Sequence, residues 1–198
     1  VLFVLLLHGL VVYGSLLKIL TGLNPIIFFR KMWKVAVFGF STASSNATLP
    51  VTMRTVEHDL GVDNKVASFS VPLGATINMD GTAIMQGVAT IFIAQVYNID
   101  IPASGYLMVI LTATLASIGT AGVPSVGLVM LAMVLQSVGL PVEGIALIIG
   151  VDRLLDMVRT AVNITGDATV STIVAKSENM LDKSRFDDMS LNAEVDPV

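Results

Sequence analysis

The run DRLLDMVRTAVNITGD, residues 152–167, places Asp156, Arg159, Asn163 and Asp167 at spacings of three, four and four in an otherwise apolar stretch. Those intervals put all four on one helical face, spread over about 16 Å at 1.5 Å rise per residue. An ionised side chain held mid-membrane costs roughly 3 kcal/mol on an insertion scale, so three of them on one helix require a compensating use. The default reading is a binding pathway for charged solutes.

Composition supports a membrane setting. Hydrophobic residues make up 54% of the 198, charged residues 13%, and mean hydropathy is +0.82, whereas soluble chains have about 25% charged residues. Cysteine is absent, which removes disulfides, thiolate metal sites and cysteine nucleophiles. A net charge of −4 and a pI near 5.0 offer no basic patch for nucleic acid. The opening run VLFVLLLHGLVVYGSLL lacks a basic n-region and cleavage site, and reads as a spanning helix truncated at its start, residues 1–22.

The rest divides into a transport core, residues 23–180, and an acidic tail, residues 181–198, expected to be a frayed cytoplasmic end. Within the core, Asn24-Pro25 breaks the chain, and a polar tip at 41–48 separates two arms too short to cross about 30 Å of hydrocarbon. This predicts a re-entrant hairpin over 25–59. A long helix over 66–97 is interrupted at Asn78-Met79-Asp80-Gly81-Thr82; a second hairpin over 105–138 has its tip at 117–124; the polar-faced helix occupies 144–180. Pro50 and Pro124 lie 74 residues apart, and Asp80 and Asp156 lie 76 apart, which points to two copies of one unit in an inverted repeat. The expected class is therefore an all-α, multi-pass membrane protein. The links at 98–104 and 138–143 contain no Lys or Arg. Arg30, Lys31, Lys34, Lys65, Lys176, Lys183 and Arg185 mark the cytoplasmic side.

Chemistry can be assigned to several positions. The Arg159 guanidinium is a planar fork of donors suited to a carboxylate, and Asp156 can accept an ammonium, so together they specify an acidic amino acid. The bland alternative is an internal Asp156–Arg159 ion pair that binds nothing. Asp80 and Asp167 have no adjacent basic partner in sequence, and a hard cation with oxygen ligands suits them. For Asn78-Met79-Asp80-Gly81-Thr82, a helix kink bonded to its own backbone competes with that reading. Ser45 at one tip, and Val123 or Gly127 at the other, are expected to meet substrate through backbone groups, since small residues let main chain approach a ligand. His8 and His58 read as a helix-surface residue and a loop residue rather than metal ligands.

SSNATLPVTM, LGATINMDGTA, ASIGTAGVP and DMVRTAVNITGD, in this order, closely resemble the dicarboxylate/amino acid:cation symporters, the glutamate and aspartate transporter type. That resemblance covers essentially the whole chain. It implies the mobile transport domain of an elevator-type carrier in the plasma membrane, working against a homotrimeric scaffold built from helices outside this chain. It implies that Asp156 contacts the substrate amine and Arg159 the side-chain carboxylate, with Thr82, Thr160 and Asn163 completing the shell. Co-transported Na+ would be held by Gly74, Asn78, Asn163 and Asp167 at one site and by Asp80 at a second. Thr76, with the carbonyls of Ser117, Ile118 and Thr120, would form a third. Met79, inside the break, is counted with the cation residues. No cofactor is expected, and no enzymatic activity.

Departures from the family pattern matter too. Ala43 and Met157 stand where archaeal and mammalian members carry an arginine, which leaves Arg153 to take over its electrostatic duty or to pair with Asp152 or Glu143. Gln86 replaces a glutamate that mammalian members link to proton and potassium coupling, which favours Na+ symport without a proton carrier there. Competing readings are a C4-dicarboxylate or proton-coupled carrier of the same family, a channel or structural subunit, and an intramembrane aspartyl protease built on Asp80 and Asp156. Arg159 would keep the protease's shared proton off its carboxylate.

Overall fold

The computed structural model describes residues 1–190, and among these every regular element is helical. α1 (Leu2–Leu7), a π-helical turn (His8–Val12) and α2 (Tyr13–Thr21) form one continuous apolar helix of 20 residues, which is long enough for a bilayer core of about 30 Å. Ala103–Ile118 and Val126–Ser137 are shorter apolar helices.

Local signals set the boundaries. Asn24 caps α3 (Pro25–Thr42) by accepting from the Ile26 amide at 3.0 Å, with Pro25 in the first turn, where its absent N–H costs nothing. α3 ends at Ala43 in a left-handed conformation, and Ser44 caps α4 (Ser45–Arg54), which continues as a π turn over Thr55–Asp59. Asp63 caps α5 (Asn64–Ile77), whose last residues meet the break at Asn78-Met79 before α6 (Asp80–Val96). α7 (Ala103–Ile118) and α8 (Val126–Ser137) form the second helix pair. A short 3-10 turn leads into α9 (Ala146–Ser177), followed by α10 (Lys183–Asp187). α5 and α6 together run 64–96, α7 and α8 span 103–137, and α9 runs 146–177.

α9 is the axis, packed against α2, α3, α5 and α6. One apolar cluster joins α3, α5 and α9 through Phe28, Met32, Val71 and Ile164; another joins α6, α7 and α8 through Ile93, Val109 and Leu131. The two helix pairs meet tip to tip. Ser44 Oγ donates to the Gly122 carbonyl at 2.7 Å, and the Asn46 amide donates to the same oxygen at 3.1 Å. Polarity is inverted relative to a soluble protein: Asp152, Asp156, Arg159, Asn163 and Asp167 are buried, whereas Ile19, Phe69, Leu107 and Val129 are 70% exposed or more.

The expectation of a frayed tail is corrected as far as Asp188. Phe186 is fully buried in the α3–α5–α9 cluster, so one aromatic anchor outweighs the acidic composition around it. Asp182 caps α10, accepting from the Ser184 hydroxyl at 2.5 Å and from the amides of Ser184 and Arg185. The hydroxyl bond, more than the amides, holds its carboxyl below the usual range. Glu194 and Asp196 lie outside the described residues.

Gly166 shows how tightly α9 meets α2 and the break. A Cβ there would lie 2.4 Å from the Tyr13 hydroxyl and 2.5 Å from Asn78 Nδ2, groups tied to Asp80 and Asp167. Gly166→Ala is expected to destabilise the full-length parent by about 1–3 kcal/mol. Gly87→Ala, with open space around it, should be neutral or stabilising by up to about 1 kcal/mol. Thermal unfolding in detergent distinguishes the two.

Candidate functional site

The α9 face converges with both tips and the α5–α6 break. Arg159, 1% exposed, donates from Nη2 to Asp156 Oδ1 at 2.9 Å and to Asp152 Oδ1 at 3.1 Å. Its Nη1 and Nε are buried and have no hydrogen-bond partner among the described residues. Nη1 lies against Gly127: a Cβ there would come within 2.9 Å of it and 3.0 Å of Thr82 Cγ2, so the glycine makes room for the guanidinium. The other Asp156 oxygen accepts the Ser125 amide at 2.8 Å, which ties the second tip to α9.

Seven of the eight predicted substrate residues, Ser45, Thr82, Val123, Gly127, Asp156, Thr160 and Asn163, line one cavity. Arg159 adjoins it beside Gly127. Met79 and Thr120, predicted as cation residues, line it as well. Its volume is about 10 Å³, room for roughly one water. An amino acid enters only if a wall moves.

Beneath this cavity lies an oxygen-rich cluster. Asn78 Nδ2 donates to Asp167 Oδ1 at 2.9 Å and approaches the Asn163 carbonyl at 3.4 Å. Gly74 sits so close that a Cβ would be 2.6 Å from that carboxylate. Asn163 Oδ1 accepts the Gly81 amide at 2.8 Å, and its Nδ2 contacts Met79 Sδ at 3.2 Å. Gly74, Asn78, Met79, Asn163 and Asp167 are thus brought together, and Asn163 belongs to both cavity and cluster. Thr76 is not joined to its predicted partners. Its hydroxyl turns back to the Leu73 carbonyl at 2.7 Å, and among the described residues no hydrogen bond links it to Ser117, Ile118 or Thr120, although α5 packs on α7.

Asp80 corrects the reading of His8 as a surface residue. His8 Nε2 lies 3.1 Å, and the Tyr13 hydroxyl 3.0 Å, from Asp80 Oδ2, with the two rings edge to face at 4.7 Å. Positions i and i+5 diverge on an α-helix. Here the Tyr13 amide bonds the His8 carbonyl in the π turn, which swings both side chains toward one point. Periodicity at 3.6 could not reveal this. Asp152, named from sequence only as one possible partner of Arg153, belongs to the site. It pairs with Arg159, while Arg153 is exposed; the signal was its position one turn before Asp156 on the same face. Asp80 and Asp156 engage separate partners, so no carboxyl dyad forms for a protease. Gln86 Nε2 donates to the Gly127 carbonyl at 3.1 Å, a tie between α6 and the second tip that sequence did not indicate.

The family model described as sodium:dicarboxylate symporter family matches residues 1–177. The chain is 48% identical over 170 residues to an excitatory amino acid transporter of Caenorhabditis elegans, covering 86% of this chain and 34% of the relative. It is 46% identical over 177 residues to human excitatory amino acid transporter 2, covering 88% and 31%, and 46% identical over 171 residues to human excitatory amino acid transporter 5, covering 86% and 30%. The chain spans about a third of the length of these relatives.

The shared guanidinium makes a prediction independent of any ligand. Arg159→Met leaves two buried carboxylates facing one another and should destabilise the parent protein by about 3–5 kcal/mol. In the Asp152→Asn/Arg159→Met double variant the loss should be smaller. A double-variant cycle of unfolding free energies measures the coupling.

Proposed function

We propose that the chain, which belongs to the sodium:dicarboxylate symporter family, is the substrate- and cation-carrying part of a Na+-coupled symporter of acidic amino acids. The family is one of membrane transporters, not enzymes. The observation that carries the reading is the buried Arg159 with Nη1 unpartnered beside a cavity lined by Asp156. A cation and an anion at one cavity fit a zwitterion with an extra carboxylate. The amine would take Asp156 and the side-chain carboxylate Arg159, with Thr82, Thr160 and Asn163 around them and Ser45, Val123 and Gly127 offering main chain.

The Ser125 amide occupies one Asp156 oxygen beside a cavity of about 10 Å³; in this reading the second tip lifts from Asp156 to admit the substrate. Na+ would sit among Gly74, Asn78, Asn163 and Asp167, with Met79 adjoining. Asp80 would serve a second ion and Thr76, with the carbonyls of Ser117, Ile118 and Thr120, a third. Carboxylate, amide and carbonyl oxygens suit a hard cation. Because Asn163 touches both cavity and cluster, each ligand preorganises the other, and coupling follows from shared contacts. Gln86 presents no titratable group at the second tip, which supports Na+ coupling without a proton carrier there.

The two helix pairs are read as re-entrant hairpins related by an inverted repeat. The boundaries 1–22, 23–180 and 181–198 mark spanning helix, core and cytoplasmic tail. Elevator movement against a homotrimeric scaffold in the plasma membrane, with lipid around the exposed apolar surface, completes the picture. The 2.9 Å Asp156–Arg159 pair favours one competing reading, a C4-dicarboxylate carrier in which that pair persists and no amine is bound.

In liposomes containing the full-length parent, labelled L-aspartate uptake should require an inward Na+ gradient. Arg159→Ala or Asp156→Ala should lower it by about a hundredfold, as expected for a lost charged contact of roughly 3 kcal/mol. L-glutamate should compete, and succinate should not. Succinate uptake that survives Asp156→Ala would establish the dicarboxylate reading, and uptake driven only by a proton gradient would overturn the Na+ assignment.

A further inference from the structure

Lys31 is 1% exposed and lies in the first half of α3, far in sequence from the two carbonyls it bonds. Its ammonium donates to the Asp59 carbonyl and to the Arg185 carbonyl, each at 2.7 Å, and sits 5.8 Å from the centre of the Phe186 ring. Asp59 ends the helical run of α4, where carbonyls lack intrahelical partners and a cation is favoured. One side chain therefore joins both arms of the first hairpin to the C-terminal segment.

A second, independent stitch lies beside it. The Asp63 amide donates to the Met180 carbonyl at 2.9 Å, and the Asp182 amide to the Gly61 carbonyl at 2.7 Å, around an antiparallel Val62–Leu181 bridge. Gly61 has φ +72°, and a Cβ there would lie 2.4 Å from the Asp182 carbonyl, so only glycine lets the strand of tail pass. Phe186 then inserts among Phe28, Met32, Val56 and Leu60. The arms of the second hairpin share one hydrogen bond among the described residues, the Thr112–Ser137 hydroxyl pair at 3.1 Å.

We propose that residues 178–188 form a clasp, pinned by Lys31 and anchored by Phe186, that locks the base of the first hairpin and makes its tip at Ala43–Ser45 a fixed wall of the cavity. The clasp stands on the structure alone; its consequence for substrate access rests on the transport reading above. Loss of the pin frees two carbonyls and lets the arms open locally, while the second hairpin is unaffected. A clasp that never opens in the working cycle tolerates being closed covalently.

The test uses the full-length parent in lipid nanodiscs. Amide exchange within 25–59 should accelerate by about tenfold or more in Lys31→Met and Phe186→Ala, with 103–137 unchanged and Lys31→Arg close to wild type. Unchanged exchange in both variants, or equal acceleration across all helices, overturns the clasp. Separately, Val62→Cys/Leu181→Cys is introduced into a parent whose other cysteines, if any, are replaced by serine, this chain itself having none, and is oxidised across the bridge. Uptake within about twofold of the reduced protein is expected, and a reductant-reversible loss of about tenfold or more overturns the claim that the clasp stays closed. Absence of uptake in the wild type would sink the transport reading, while the exchange data would still decide the clasp.

Discussion

A guanidinium shared between two carboxylates in an apolar surround is the constraint on which the rest depends. Arg159 cannot be left uncompensated when buried, and without it Asp152 and Asp156 would be two buried carboxylates facing one another with no opposite charge between them. Their arrangement fixes α9 at the centre, and the tips of both hairpins come to rest on its polar face. The pairing is also incomplete: Nη2 is engaged twice and Nη1 not at all. A structural ion pair would satisfy its donors. This one leaves a donor beside a cavity, and that asymmetry is what the proposed recognition of a carboxylate rests on.

The same economy appears at Asn163. Its side-chain oxygen holds the start of α6 through the Gly81 amide, while its carbonyl belongs to the cluster around Asp167. Helix breaks expose backbone groups that lipid cannot satisfy, so an unwound segment at Asn78-Met79 has to be buried against protein. The α9 amide and carboxylate do this. The groups that repair the broken helix are also oxygens suited to a hard cation, so the proposed ion site would use the same atoms that hold the break.

Much of this was legible in the sequence. The face through Asp156, Arg159, Asn163 and Asp167, the two polar tips and the break at Asn78-Met79 follow from spacing and composition, because charge in an apolar helix has few permitted explanations. Seven of the eight residues expected to meet substrate line one cavity. What escaped did so for identifiable reasons. His8 and Tyr13 reach Asp80 through a π turn that α-helical periodicity cannot express. For Asp152 only a pairing with Arg153 is weighed from sequence, as one of three options for that arginine, although its helical face favours Arg159. The docking of the C-terminal segment rests on Phe186 and on a lysine more than 150 positions away, a long-range contact with no local signature.

The central claim is that cation and substrate sites are coupled through shared contacts at Asn163 and the break. Calorimetric titration of the purified full-length parent with Na+, in the absence and presence of saturating L-aspartate, tests it most directly. Reciprocal tightening is predicted, L-aspartate raising Na+ affinity by the same factor by which Na+ raises L-aspartate affinity. L-aspartate binding of equal strength with and without Na+ would contradict the account.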